Sequence, residues 1–430
     1  MTKKYFFISL LLIPIIASTQ QLTLVDAINI ALKKNYDIEI AKDNVNISKI
    51  NNHIGNAGGL TTVSATLSNQ EAVTNINQKI NTGTEIDKTG ALTNTLNANI
   101  TGSMLLYNGY RVVATKKRLE ELQLQNQQQL TAQIQNTIAA VMLKYYDIVK
   151  QQSYVRTLQQ SIAVSQQQLQ LIEVKKEIGL ANNADVFQIK IDVNTKQQDF
   201  ASQELIIKQA KTDLLNLLTL KTDSSIVIKD TIVSNGEIKF ETIANTLQQN
   251  ADILSLDNQI KINELIEKET KTQRMPSLRA NTGLNFGRTQ SDAGQLLLNQ
   301  SYGPFIGLSL SFPIYNSGNI KRQEQVANIN TSIAKKQKQK AVETYQTQLC
   351  KTYQAYVTAI EQGKIQQNTY QLSQDLMQLV LQKFQLGQAT IIEVREAQKS
   401  FEDSGFRLIN LNYLAKIAEI ELKRIGNLLN

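Results

Sequence analysis

Residues 92–106 read LTNTLNANITGSMLL. The even positions Leu92, Leu96, Ala98, Ile100, Met104 and Leu106 are apolar, while Thr93, Thr95, Asn97, Asn99, Thr101 and Ser103 between them are small and polar. Successive side chains of a strand point to opposite faces, so this run predicts a β-strand with one oily and one wet side. Ile306, Leu308, Leu310, Phe312 and Ile314 alternate in the same way with Gly307, Ser309 and Ser311, and Leu278, Ala280, Leu284 and Phe286 with Arg279, Asn281 and Asn285. A fourth run, Leu60–Leu67, carries its apolar residues Val63, Ala65 and Leu67 at odd positions, out of phase with the others. Segments of about ten alternating residues suit membrane strands, apolar toward lipid and polar toward a lumen. A soluble antiparallel sheet with one buried face gives the same alternation. Tyr107, Tyr110, Tyr302 and Tyr315 flank the strands where an interfacial aromatic girdle belongs, which favours the membrane.

The first residues favour it too. Lys3 and Lys4 precede an apolar run, Tyr5–Ala17, that is too short to span a bilayer as a helix. Ala17, Ser18 and Thr19 supply small residues, so residues 1–19 read as a secretory signal cleaved near Gln20.

Outward from the strands the chain repeats itself. Asn35-Tyr36-Asp37-Ile38 returns as Asn250-Ala251-Asp252-Ile253, an offset of 215; Tyr107-Asn108 returns as Tyr315-Asn316, Gly179 as Gly387, and Asp185-Val186 as Glu393-Val394, each at 208. Each repeat reads helix, strand, strand, very long helix, tight turn, long helix. The first helices are Leu24–Ile50 and Glu241–Thr272.

Between Val112 and Ile178 there is no Pro or Gly, and Ile134, Val141, Ile148, Val155, Ile162 and Leu169 step by seven. That is coiled-coil periodicity, and roughly 65 residues at 1.5 Å each make about 100 Å of helix. The companion seam is mixed, with Gln152 and Ser165 polar among Ile138, Tyr145, Leu158 and Ile172. Gly179-Leu180 and Gly387-Gln388 form the turns, with glycine as the C-terminal cap. Gln-rich helix faces fit a hollow, wet assembly better than a solid rod.

Composition narrows the classes. Four prolines in 430 residues permit long unbroken helices. The formal charge of +8 is spread along helical segments, and no aromatic residues interleave with a basic stripe, so no nucleic-acid partner is expected. Cys350 is the only cysteine and lies in a helical pattern, where it reads as a small buried residue. One Cys and one His, His53, far apart give no metal site and no Cys–His nucleophile. No catalytic constellation stands out, and no cofactor is expected.

Four membrane strands cannot close a barrel, since known barrels start at eight. Open edges cannot sit in lipid. Other copies must complete the wall: two give eight strands, three give twelve.

With these features in place, the chain resembles the TolC-like outer membrane efflux family. The resemblance rests on the duplication, on Leu24-Val25-Asp26-Ala27 through Ala31-Leu32 to Asn35, on the junction Leu106-Tyr107-Asn108-Gly109, and on the tips Ile178-Gly179-Leu180…Asp185-Val186 and Leu386-Gly387…Ile392-Glu393-Val394. It implies a homotrimer whose twelve-stranded barrel continues into a periplasmic helical barrel, with a mixed girdle around 225–240. It implies outer-membrane lipid, a periplasmic adaptor and an inner-membrane pump as partners, and passive conduction rather than catalysis. Docking would fall on the tips at Gly179, Leu180, Gly387 and Gln388. The family's acidic constriction maps onto Glu393 and Glu396, with Asp185 as the counterpart in the first repeat; helix-start carboxylates favoured by the dipole are the simpler reading of the same residues. The family's latch positions hold Phe384 and Ala389, so a tyrosine–arginine latch is not expected.

The expected plan is a signal at 1–19, repeat one at 20–220 with strands at 60–68 and 92–107 and a hairpin at 112–220, a linker at 221–240, and repeat two at 241–430 with strands at 277–287 and 302–315 and a hairpin at 319–428. The competing reading is a structural coiled-coil or adaptor protein of the envelope without a barrel.

Overall fold

The computed structural model describes residues 20–233 and 238–429. The expected signal and part of the expected linker lie outside the described residues. In chain order the elements are β1 (Gln20–Gln21), α1 (Leu24–Lys34), α2 (Tyr36–Asn51), β2 (Thr62–Lys79), β3 (Glu85–Tyr107), α3 (Arg111–Glu177), α4 (Asn183–Leu217), β4 (Ile226–Val227), α5 (Phe240–Thr246), α6 (Ala251–Thr272), β5 (Ser277–Ser291), β6 (Leu298–Ser311), α7 (Asn319–Gln385) and α8 (Ile391–Ile425). Helices α3 and α7 have 67 residues each, and α4 and α8 have 35 each, so the duplication holds to the residue in both hairpins.

The expected first helix is two helices. Asn35 takes an extended conformation and ends α1. Its Oδ1 then accepts from the backbone N–H groups of Asp37 and Ile38 at 3.0 and 3.3 Å, opening α2. Its Nδ2 donates to the Leu217 carbonyl at the end of α4. Asn250 repeats the device, breaking the second helix between α5, the short 3₁₀ turn Leu247–Gln249 and α6, and donating to the Ile425 carbonyl at the end of α8. A buried asparagine bonded to the end of the returning helix accounts for the Asn of the Asn-x-Asp-Ile repeat.

The chain divides into two units, one of residues up to 40, 132–250 and 344–430, the other of 41–131 and 251–343. Among the described residues, the regular structure of the first is helical apart from the parallel pair β1–β4. Its core joins Val141, Tyr145 and Ile148 of α3 to Leu214 and Leu215 of α4, with Leu22, Ala27, Ala31 and Ile228 around them. The two polar residues of the companion seam have partners. Gln152 donates to the Ile228 carbonyl, and Ser165, 1% exposed, accepts from Gln398 of α8 at 2.8 Å. Gln398 also donates to the Ser161 carbonyl, and Glu402, one turn along α8, pairs with Lys196 of α4 at 2.5 Å. Cys350 is exposed, contrary to expectation: the neighbouring Leu349 takes the buried position, and one step along a helix turns a side chain by about 100°.

The second unit holds a four-stranded antiparallel sheet in the order β2-β3-β5-β6. Its strands overrun the expected limits at one end. β2 and β3 continue to Lys79 and Glu85, and β5 to Ser291. The hydrophobic alternation fades there while the backbone ladder goes on. Conversely β6 stops at Ser311, which pairs with Ser277, the first residue of β5; beyond that pair Pro276 and Pro313 have no N–H to extend the ladder. From Leu92 down to Glu85, β3 has no β5 partner and pairs with β2 alone. A bulge in this overhang, between the pairs Thr74–Ala91 and Ile76–Lys88, centres on Gly90 at φ +75°.

Candidate channel wall and hairpin tips

Cross-strand register builds one continuous apolar face. Val63, Ala65 and Leu67 of β2 pair with Gly102, Ile100 and Ala98 of β3. Those three pair with Thr282, Leu284 and Phe286 of β5, which in turn pair with Ile306, Pro304 and Tyr302 of β6. Partners across an antiparallel ladder share a face, so the odd phase of β2 and the even phase of its neighbours are the same side. The face is bare in the protomer: Leu67 is 75% and Ile306 88% exposed. The opposite face carries Ser64, Thr66 and Ser68, then Thr101, Asn99 and Asn97, then Gly283, Asn285 and Gly287. Strands β2 and β6 are the two edges.

Of the four tyrosines, Tyr107 and Tyr302 lie in the ladder. A bulge lies between Leu105–Arg279 and Tyr107–Leu278. The extra residue swings Tyr107 onto the side of Leu278. Tyr110 packs edge-on against it at 5.9 Å between centroids, and Tyr315 is 86% exposed just beyond Pro313. Tyr302 pairs with Phe286, eight residues up β5 from Leu278. That is about 26 Å along the strand, against an apolar band of about 25 Å in membrane barrels.

The hairpin tips belong to the helical unit and are built twice. Gly179 and Gly387 sit at φ +82° and +75°. The N–H of Leu180 reaches the Lys175 carbonyl and that of Gln388 the Lys383 carbonyl, both at 2.8 Å, a Schellman closure in each case. Asn182 and Asp185 form a capping box at the start of α4, and Thr390 and Glu393 form one at the start of α8. The Thr390 backbone N–H, at 2.6 Å, and its hydroxyl, at 2.9 Å, hold the Glu393 carboxyl below the usual carboxylate range. Each of Asp185 and Glu393 is thus bound to its own N-cap, while Glu396, one turn on, is exposed. Ile178, Leu180, Leu386 and Ile392 project around the turns, 63% to 73% exposed.

Behind the turns the two hairpins share a core of Ile172, Val186, Ile189, Val193, Phe384 and Val394. Phe384 is 3% exposed. Lys175 donates to its carbonyl at 2.7 Å and lies 4.3 Å above its ring. The sequence pattern did not single out Lys175, because one lysine among the many on these helices carries no signal. Of the Ser161, Ser165, Gln398 and Glu402 cluster, the sequence pattern marks only Ser165, as a polar residue in the companion seam of α3.

This is the architecture of TolC-like outer-membrane channels: an open sheet with a bare apolar face, joined to duplicated long hairpins. Residues 242–427, most of the second repeat, match the family described as outer membrane efflux protein. Among solved structures, the chain is similar to the Vibrio cholerae outer membrane protein VceC (TM-score 0.76, 14% identity, 94% of this chain and 96% of that one) and to the Campylobacter jejuni CmeC outer membrane channel (0.78, 17%, 94% and 85%). Among curated relatives, the toluene efflux pump outer membrane protein TtgC of Pseudomonas putida is 21% identical over 292 residues, 67% of this chain. That match spans 60% of the relative's length.

Proposed function

We propose that this chain is the exit duct of a tripartite efflux pump or a type I secretion system, conducting solutes passively across the outer membrane. The observation that carries the reading is the unpaired β2 and β6 edges beside a continuous apolar face. Such edges are tolerated in lipid only when other copies pair with them. Three copies give twelve strands, which the likeness to TolC-like channels supports. The helical hairpins would then lie in the periplasm. The exposed apolar tips around Gly179, Leu180, Gly387 and Gln388 would dock a periplasmic adaptor that recruits an inner-membrane pump. Glu393, Glu396 and Asp185 would line the constriction as acidic rings favouring cations, and Tyr107, Tyr110, Tyr302 and Tyr315 would form the two girdles.

The test is detergent extraction followed by mass measurement, gel mobility with and without boiling, and planar-bilayer conductance. A heat-modifiable trimer that conducts is the expected result. A monomer released by salt alone would overturn the reading.

A further inference from the structure

At the helix-side end of the sheet's polar face lies a cavity of about 350 Å³. Arg279 of β5 contributes to its lining, with Arg111 and Asn319 at the first positions of α3 and α7, and with Asn108 and Asn316 from the two strand-to-helix junctions. The lining contains two arginines and no carboxylate. Arg111 and Arg279 form no salt bridge among the described residues, and the neighbouring acid Glu324 is committed to Arg274.

Two further observations point the same way. Helices α1, α2, α4, α5, α6 and α8 each place an acid in the first turn, namely Asp26, Asp37, Asp185, Glu241, Asp252 and Glu393. α3 and α7, whose first residues line the cavity, have none, although Thr272 at the C-terminal end of α6 lines it as well. They begin instead beside Arg111 and beside Lys321 and Arg322. Positive side chains at the positive end of a helix dipole repel it, and an anion relieves both. The second observation is Asn108, 9% exposed. Its Oδ1 accepts from the Val112 N–H at 3.4 Å, and its Nδ2 is buried with no acceptor. A buried donor left unpaired is costly.

We infer that this cavity is an oxyanion site, binding a phosphate-like group between Arg111 and Arg279 at the ends of α3 and α7. Arg279 pairs with Leu105 and Ser309 on the face opposite Leu278 and Leu310. The anion is therefore a solute and not a lipid headgroup, a placement that rests on the duct reading for which face meets lipid. The barrel floor would carry a positive collar.

The test is titration calorimetry of the full chain in detergent with inorganic phosphate, run beside bilayer selectivity measurements. Wild type should bind saturably. Arg111→Gln and Arg279→Gln should each weaken binding about fivefold, the weight of one unit charge at contact distance in water. Arg279→Lys should retain most of it. Chloride over potassium permeability should fall by a similar factor in the glutamine variants. Vesicles of anionic lipid that compete with phosphate would overturn the assignment to solute. A conducting trimer with no phosphate binding and unchanged selectivity would overturn the site and leave the duct standing. Phosphate binding without conduction would do the reverse.

Discussion

The ammonium of Lys175 on the first hairpin sits between two parts of one residue on the second, the carbonyl and the ring of Phe384. The carbonyl belongs to the last turn of α7, so a cation also meets the negative end of that helix. One side chain thereby fastens the two tips of a protomer. Lys175→Met keeps the stem and removes the charge. It should loosen the tip by about 1–2 kcal/mol. Amide exchange at 384–390 should quicken while that at Val141–Ile148 stays the same. Uniform exchange across both regions would mean the contact holds nothing in place.

Gly179→Ala and Gly387→Ala test the turns. A Cβ at either site meets nothing within 4 Å, so only the left-handed backbone opposes it. Each substitution should cost about 1 kcal/mol, and asparagine should cost less than alanine. Denaturant midpoints of the two alanine variants should match, because the two turns share one geometry.

The Glu393 cap gives the tip a pH limit. Its folded carboxyl titrates below the ordinary range, so its contribution is complete above the unfolded value of about 4.3 and fades as pH falls through the lower folded value. Pepsin digestion at stepped pH should therefore leave the 386–392 turn intact at the upper end of its range and cut it only at the lower end. Glu393→Gln should abolish that dependence. Cleavage that follows the same pH curve in both proteins would remove the carboxylate from the explanation.

Register across the sheet predicts opposite fates for adjacent residues. Leu67 lies on the apolar face and Thr66 on the polar one. Leu67→Arg should cost about 2–4 kcal/mol if the apolar face meets lipid and deplete the heat-modifiable form. Thr66→Arg should assemble normally and alter conductance. Equal effects would mean the phase of β2 has been misassigned.

Much of this was readable from residue order. The glycine turns, the hairpin lengths and the alternation in β3, β5 and β6 are local signals, each written within a few residues. The phase of β2 was not, because it depends on which β3 residue faces Val63, and that is a fact about two strands. The breaks at Asn35 and Asn250 were equally hidden, since asparagine inside an amphipathic run looks tolerable until its partner on a distant helix end is known. The upper reaches of β2 and β3 differ: Ile76–Lys79 and Glu85–Lys88 are all at least partly exposed, so no hydrophobic period marks them. Cys350 reads as buried in the sequence yet is exposed, because one helical step separates it from the inward-facing Leu349. The placement of Glu393 was legible, yet its role divides between cap and pore lining, and only the cap is a property of a single chain.

The β2–β3 overhang has a consequence of its own. Above the Gly90 bulge the ladder of Ile76–Lys79 against Glu85–Lys88 meets the loop between β5 and β6, through Lys88 with Asp292 and Gln78 with Gln295. Its sequence can drift with little effect on the strands beneath it. In an assembled channel this would be the part most open to phage, antibody and neighbouring cells. The molecule would then keep its changeable face and its working passage on opposite sides of one glycine, free to alter its appearance without altering its bore.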